Sequence, residues 1–460
     1  MMQINVKDQL RQPLIIILTA CIPLAITWVF LPHPAIAIAV GALPLVILFV
    51  LKQPFLMVLL FVLFSFFRLH EVFPQLEPFR IPLLLSIASL TTLIWQVAVT
   101  KKLTIYWTPE LKKATLFFVF VILGIALATN RPLALDYFTS TYWKIIVMTF
   151  AIVWLTRTAR DFSLSLHLVT FSGLLVGLAA LYNKFYSIGL VEGTRVTIGG
   201  DFGSILGDPN DLSLVLLFPF SFALSLILSP GLSKPQRLFG VVTAIVLILA
   251  IIATQSRGGL LGVAAVITAF VWRRVASKTL LIICGALVLA SLFLFAGISD
   301  RQSGGAAEVG IDESAMGRLY AWEAAFDMAL DNPISGVGID NFHPNYFFYS
   351  NYWDGLNHAV HSTWFGVLAE TGFIGLYLFL VLVVAVIRCA SKALHTIKDN
   401  PDKFQPTILA IAEGNLIGLV GFCVAGSFLT QTFTWPLYIL MAFTVAIGHF
   451  ISTNNNQKSK

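Results

Sequence analysis

A guanidinium group separates two apolar runs where residues 254–262 read TQSRGGLLG. Arg257 is followed by Gly258 and Gly259, and glycines leave room for a ligand or another backbone segment to approach closely. The guanidinium fork matches the geometry of phosphate oxygens. The stretch therefore predicts an anion site at the end of a membrane helix. The ordinary alternative is a turn whose arginine extends to water.

Three further cations could complete such an anion site. Arg195 lies in EGTRVTIGG, Arg318 lies in SAMGRLYAW, and Lys144 stands near the end of an apolar segment. Each could instead be an ordinary loop cation, and Arg318 could pair with Asp312 or Glu313. Taken together, they predict a site that binds pyrophosphate without a metal.

A histidine precedes one apolar segment, in HAVHSTWF. An imidazole is the side chain most easily used as a base near neutral pH, so His361 is the candidate base. His358 is the neighbouring alternative and His343 a more distant one, and any of them could be a solvated loop residue. Glu370 lies inside the same segment, where a carboxylate needs a partner. We expect His358 and Glu370 to contact substrate.

The acidic stretch GDPNDLS, residues 207–213, has the composition of a metal site. A proline turn in which Asp211 caps the next helix accounts for it more simply. The four cysteines show no CxxC spacing and have no nearby histidine. We expect neither a metal site nor a cofactor.

Composition decides which protein class holds these residues. Of 460 residues, 58% are hydrophobic and 11% are charged, with a mean hydropathy of +0.87. A soluble domain is about 25% charged. The composition excludes a soluble globule and predicts an all-α polytopic membrane protein, with residues 1–460 forming a single membrane domain.

Apolar segments predict about 12–14 transmembrane helices. The first is expected to remain uncleaved, although LTAC at residues 18–21 resembles a lipoprotein cleavage site. The predicted spans are 13–31, 35–51, 54–67, 81–100, 114–128, 138–155, 163–182, 212–229, 239–254, 260–272, 279–297, 363–386, 407–426 and 436–453.

The distribution of basic residues predicts the orientation. With the N-terminus in the cytoplasm, 20 of the 29 Lys and Arg residues fall on the inner side, as the positive-inside rule requires. Both termini are then cytoplasmic. Nine cations lie on or near the outer side: Arg68, Arg80, Arg131, Lys144, Lys184, Arg195, Arg257, Arg301 and Arg318.

Two long loops, 183–211 and 298–362, fall on the predicted outer, periplasmic side. Long ordered loops are usually functional. In the second loop, Leu319, Trp322, Phe326 and Leu330 follow the spacing of an amphipathic helix over residues 314–333. This helix is expected to lie on the outer membrane face or to cover a cavity.

Several motifs, in this order, resemble the O-antigen ligase and O-antigen polymerase superfamily of bacterial envelope proteins. They are SRGG at a helix junction, R-x-x-x-W (Arg318 to Trp322) followed by GVGIDNF, and HSTWF…LAETGFIG from His361 to Gly375. The resemblance covers roughly residues 190–385. DPND together with the large loop looks most like the branch that includes protein O-glycosylation ligases.

This resemblance implies a metal-independent, inverting glycosyltransferase of the GT-C type in the bacterial inner membrane. Such enzymes act in pathways such as lipopolysaccharide biosynthesis, taking a glycan from undecaprenyl pyrophosphate at the periplasmic face. The acceptor is a hydroxyl of lipid A core, protein or another lipid, and nucleic acid has no part. By resemblance, Arg195, Arg257 and Arg318 hold the pyrophosphate and His361 acts at the acceptor.

Two other functions remain open from the sequence. A polymerase of the same superfamily, extending one lipid-linked glycan with another, would use similar residues. An anion transporter would also use a basic outer cavity, but it should carry polar or broken helices near the membrane midplane. Glu370 is nearly the only such feature, which favours the enzyme.

Overall fold

The computed structural model describes residues 34–199, 204–275 and 313–457, together with residue 22 and isolated positions between 277 and 290. The predicted spans 13–31 and 279–297, and loop residues 298–312, lie wholly or mostly outside the described residues. Within the described ranges every regular element is helical, apart from one isolated bridge between Val191 and Arg195. The predicted all-α class is confirmed.

Most helices coincide with predicted apolar segments. In chain order they are α1 (Pro34–Lys52), α2 (Pro54–Phe66), α3 (Leu69–Val72), α4 (Ile81–Ile94), α5 (Pro109–Ile125), α6 (Arg131–Tyr137), α7 (Trp143–Leu155), α8 (Ala159–Phe185), α9 (Pro209–Leu228), α10 (Lys234–Ala253), α11 (Arg257–Trp272), α12 (Glu313–Asp331), α13 (Phe342–Tyr349), α14 (Thr363–Asp399), α15 (Pro406–Ala425) and α16 (Trp435–Gln457).

Among the described residues, eight helices are long and apolar enough to cross a membrane, or nine if one bent pair forms a single span. That pair is α1 and α2, which meet at 94°. A helix satisfies its backbone hydrogen bonds internally, as hydrocarbon requires. The chain is therefore a multi-pass membrane protein. The total of 12–14 spans stays a prediction, because α11 has only 16 residues and two predicted segments lie outside the description.

The cap of α9 differs from the predicted one. Asp208, rather than Asp211, caps this helix: its Oδ1 accepts from the backbone N–H groups of Asn210 at 2.6 Å and Asp211 at 3.2 Å. Pro209 explains the shift, because proline suits the first helical position and so makes the preceding residue the cap. Because Asp211 does not cap α9, its carboxylate can accept a hydrogen bond from another element.

Helix α12 forms where the amphipathic pattern predicts it, but it packs through a different face. Leu319, Phe326 and Leu330 of the predicted stripe are 50%, 43% and 54% exposed. The face that packs on α14 is built from small residues and a methionine: Ala321, Ala324, Ala325 and Met328. Small side chains let two helices approach closely, so the larger apolar groups are left facing outward.

Helix α14 is interrupted at Gly372, whose φ of 67° lies in the left-handed region that favours glycine. A Cβ at this position would lie 2.6 Å from the carbonyl oxygen of Pro333. The interruption frees carbonyl groups, and Val337 and Gly338 donate to the carbonyls of Ala369 and Glu370 at 2.8 and 3.1 Å. The loop after α12 is thereby fastened to the membrane helix that follows His361.

The predicted orientation can be tested with single cysteines in a cysteine-free background. Asn351 lies exposed in the second long loop, and His395 is exposed near the other end of α14. We expect Asn351→Cys to react with a membrane-impermeant maleimide in intact spheroplasts and His395→Cys to react only after lysis. The reverse pattern would invert the orientation, and reaction of both before lysis would contradict the span between them.

Candidate functional site

His361 stands just before α14, in a backbone conformation that non-glycine residues seldom adopt. Its φ is +47°, and its N–H donates to Thr430 Oγ1 at 3.0 Å. Such conformations persist where the surroundings impose them, and they are frequent at functional sites. Ser362 then caps the helix, accepting from the N–H of Phe365. The backbone of His361 is therefore held on both sides along the chain.

The segment between α15 and α16 wraps around the start of α14. Thr363 Oγ1 donates to the carbonyl of Leu429 at 2.8 Å, and Thr432 Oγ1 donates to the carbonyl of Thr363 at 2.9 Å. Gln431 extends the connection, since its Nε2 donates to Asp211 at 2.5 Å. Buried polar groups of this kind require partners. Their bonds join α9, α14 and the 429–434 segment into one support for His361.

Helix α12 supports the same site from the loop side. Trp322 Nε1 donates to the carbonyl of Val360 at 3.1 Å, and the indole stacks on Phe365 with ring centroids 5.1 Å apart. Residues four apart lie on one face of a helix, so Arg318 occupies the same face one turn earlier. The R-x-x-x-W spacing thus places a guanidinium near His361.

Charge and burial act together on the imidazole. Burial, followed by the positive charge of Arg318, lowers the pKa of His361 to about 4, although Asp208 opposes the shift. His358 and Arg195 contribute smaller effects in the same direction as Arg318. Three other predicted site residues, Arg318, His358 and Arg195, therefore lie within electrostatic range of His361. His361 is neutral at pH 7, the state that a base requires.

Arg195 does not present the open guanidinium fork that the sequence suggested. It is 3% exposed, and its nitrogens donate to the carbonyl of Thr254 at 3.1 Å, to Asn210 Oδ1 at 3.0 Å and to Glu192 at 3.5 Å. These bonds tie the first long loop to the α10–α11 turn and to the start of α9. Arg195 thus builds the site and contributes positive charge, while its donors are engaged by protein.

Arg257 opens α11, three residues after the carbonyl that Arg195 contacts. Ser256 caps this helix, accepting from the N–H of Gly259 at 3.2 Å. Of the two roles predicted for the glycines, approach of a ligand or of another protein segment, the structure shows the second. A Cβ on Gly258 would lie 3.3 Å from Phe428 Cβ, and one on Gly259 would lie 2.6 Å from Ser213 Cβ. They permit helix packing, which brings the start of α11 close to residues 425–429 and to α9.

Glu370 and His358 are both engaged within the protein. Glu370 Oε1 accepts from the N–H of Phe342 at 3.2 Å, which supplies the partner that a carboxylate in this helix needs. His358 Nε2 lies 2.9 Å from Asp354 Oδ2, and its ring meets Tyr346 edge to face. Both therefore order the second long loop. Glu370 also lines a cavity, so its predicted contact with substrate stays a prediction.

That cavity, cavity 1, has a volume of about 210 Å³ and adjoins His361 through Val360 and Thr430. Lys144, which we expected in the same anion site, lies elsewhere. It lines cavity 2, of about 590 Å³, together with Arg68 and Arg80. The two cavities are neighbours, because Tyr137 and Thr434 line both.

Little in the sequence indicated the groups that hold the site together. Thr430 and Gln431 lie between two apolar spans, and the polar letters TQT were their only signal. Asp208 belongs to the stretch GDPNDLS, whose predicted proline turn suggested no role for it in the site. Within the described ranges no three His, Cys, Asp or Glu side chains are grouped so as to hold a metal ion.

Residues 242–380 match the family model described as O-Antigen ligase. The match supports the O-antigen ligase superfamily and, with it, a ligase- or polymerase-type function on glycans. Arg195 and Lys144 precede the matched range. No curated protein matches the chain. The matched range includes the predicted site residues Arg257, Arg318, His358, His361 and Glu370.

The electrostatic arrangement predicts how His361 titrates. In protein carrying labelled histidine, assigned by comparison with His361→Gln, we expect a pKa near 4 by NMR. Arg318→Gln should raise that pKa, because removing a neighbouring positive charge makes the imidazolium less unfavourable. Arg131→Gln, which removes an exposed arginine at the start of α6, should leave it unchanged. A His361 pKa near 6.5 that Arg318→Gln does not alter would contradict the arrangement.

Proposed function

We propose, from the O-antigen ligase domain that residues 242–380 carry, that this protein transfers a glycan from undecaprenyl pyrophosphate to an acceptor hydroxyl. The observation that carries the proposal is the position of His361. Thr430 fixes its backbone, and it is neutral within the positive field of Arg318 and Arg195. A neutral base beside fixed cations suits a reaction that removes a proton and releases a phosphate anion.

Arg257 and Arg318 are the side chains proposed to hold the pyrophosphate. Arg257 stands at the N-terminus of α11, where the helix dipole favours an anion. Arg318 approaches from α12, a separate element that lies between α11 and His361 in the chain. Two guanidinium groups from separate elements would stabilise the negative charge that grows on the leaving group. Arg195, whose donors are engaged, would keep the α10–α11 turn in place.

His361 is proposed to receive the acceptor's proton. The acceptor oxygen forms a bond to the anomeric carbon while the bond from that carbon to the pyrophosphate oxygen breaks. The electron pair leaves with the pyrophosphate, and the hydroxyl proton passes to the free imidazole nitrogen. A single displacement of this kind inverts the anomeric carbon. The arginines supply the positive charge, so the reaction is expected to proceed without a metal.

The same proposal includes the location of the protein and the acceptor of the reaction. The chain would lie in the bacterial inner membrane, with its site on the periplasmic side, in a GT-C-like arrangement. The acceptor would be lipid A core, a protein or another lipid. A polymerase would instead require a second carrier-linked glycan as acceptor. Transfer would be measured with purified protein and one donor, with a single acceptor in each assay. The acceptor that supports transfer distinguishes these cases.

Arg257 and His361 should fail differently when substituted. Arg257→Ala should weaken donor binding and slow transfer together, because it removes charge that faces both bound donor and leaving group. Arg257→Lys should restore part of the activity, since lysine keeps the charge without the bidentate fork. His361→Ala should leave donor affinity nearly unchanged while transfer falls about 10²–10⁴-fold, the usual contribution of a positioned base. Donor affinity and transfer rate would be measured separately, in EDTA.

Arg131→Ala is the matched control, an exposed arginine that lines neither cavity described above, and it should behave as wild type. Size-exclusion profiles check folding. Transfer by His361→Ala at the wild-type rate would exclude the histidine from the mechanism. Unchanged donor affinity and transfer rate in Arg257→Ala would show that TQSRGGLLG is an ordinary turn. Transfer that stops in EDTA and returns with Mg²⁺ would overturn metal independence.

A further inference from the structure

Cavity 2 gathers positive charge from three separate elements. Arg68 precedes α3, Arg80 precedes α4, and Lys144 lies in the first turn of α7. Among the described residues that line the cavity there is no carboxylate. In the predicted orientation, the positive-inside rule disfavours cations at this end of the bundle. Such charges are costly near hydrocarbon, so they favour a function.

The backbone holds two of these arginines in an unusual conformation. Arg68 and Arg80 both have a φ of +47°, in the left-handed region. Arg68 is also paired with Glu71, which in turn bonds to Ser204 in the first long loop. Strained conformations of this kind are kept where the surrounding structure imposes them. The segment 68–80 is therefore a fixed wall of the cavity, tied to the loop that leads to Asp208.

The rest of the cavity wall combines hydroxyl groups with apolar side chains. Phe61, Leu83 and Trp435 line cavity 2, and Leu83 is also 48% exposed on α4. Leu84 and Ile87 continue the exposed apolar face of this helix at 59% and 53%. An amphiphile could thus place its acyl or prenyl chain along α4 and its head group among the cations.

We propose that cavity 2 binds the phosphate head group of a lipid that enters from the membrane along α4. The site is separate from the pyrophosphate position beside Arg257 and Arg318. Cavity 1 continues from it past Tyr137 and Thr434 to Val360, next to His361. A sugar attached to the lipid phosphate would therefore extend toward the base. The proposal rests on the proposed function only for this last step; lipid binding stands without it.

The test measures lipid binding in the full chain, in an Arg257→Ala background that disables the proposed pyrophosphate position. The probes are undecaprenyl phosphate and phosphatidic acid, with diacylglycerol as the uncharged control, and native mass spectrometry reports affinity. Arg80→Asn and Lys144→Gln are combined, because both side chains are exposed and asparagine tolerates the left-handed conformation. Arg68 is left in place, since Glu71 would lose its partner.

We expect the double variant to bind phosphate lipids about tenfold more weakly or worse, because charge-assisted bonds to phosphate are lost. Diacylglycerol binding should not change, and Arg131→Gln should behave as its parent. If the double variant binds only one of the two phosphate lipids more weakly, the site is supported. The lipid affected then shows whether the ligand carries a prenyl or a diacyl chain. Equal affinity of parent and double variant for both probes overturns the proposal, as does absence of phosphate-lipid binding in the parent. Neither outcome depends on transfer, so the proposed function is tested separately.

Discussion

The hydrogen bond from the His361 N–H to Thr430 Oγ1 joins two parts of the chain that are far apart in sequence. It holds a non-glycine residue at positive φ, a conformation that needs support from its surroundings. The support comes from the 429–434 segment, which Gln431 ties to Asp211 of α9. If this contact were lost, the imidazole would be free to leave the field of Arg318. The geometry of the site therefore depends on the 429–434 segment, which carries no charged side chain.

Arg318, which is proposed to hold the leaving group, also makes His361 a weak base before the donor binds. Burial and the charge of Arg318 lower its pKa to about 4. A bound pyrophosphate would bring negative charge next to Arg318, and a nearby negative charge favours the protonated imidazole. Donor binding would then raise the pKa of His361 and strengthen it as a proton acceptor. This coupling would keep an idle site from activating hydroxyl groups.

Composition and apolar segment length were enough to predict an all-α membrane protein, because hydrocarbon leaves few ways to satisfy a backbone. Spacing also placed Arg318 and Trp322 on one helix face. Long-range contacts were beyond the sequence. Nothing local showed that the donors of Arg195 would be engaged, or that Lys144 would line another cavity. The glycines after Arg257 predicted a close approach of either a ligand or protein, and only the packing against α9 shows that protein lies there.

The acid limb of the pH–rate profile tests most directly whether a neutral His361 in an arginine field is the base. The imidazole accepts a proton only when neutral, so activity must fall as pH drops through its pKa. The profile of kcat/KM reports the free enzyme and kcat reports the donor complex. We predict a kcat/KM limb near pH 4 and a kcat limb at higher pH, both absent from the residual activity of His361→Gln. Two coincident limbs near pH 6.5, or limbs that persist in His361→Gln, would contradict the account.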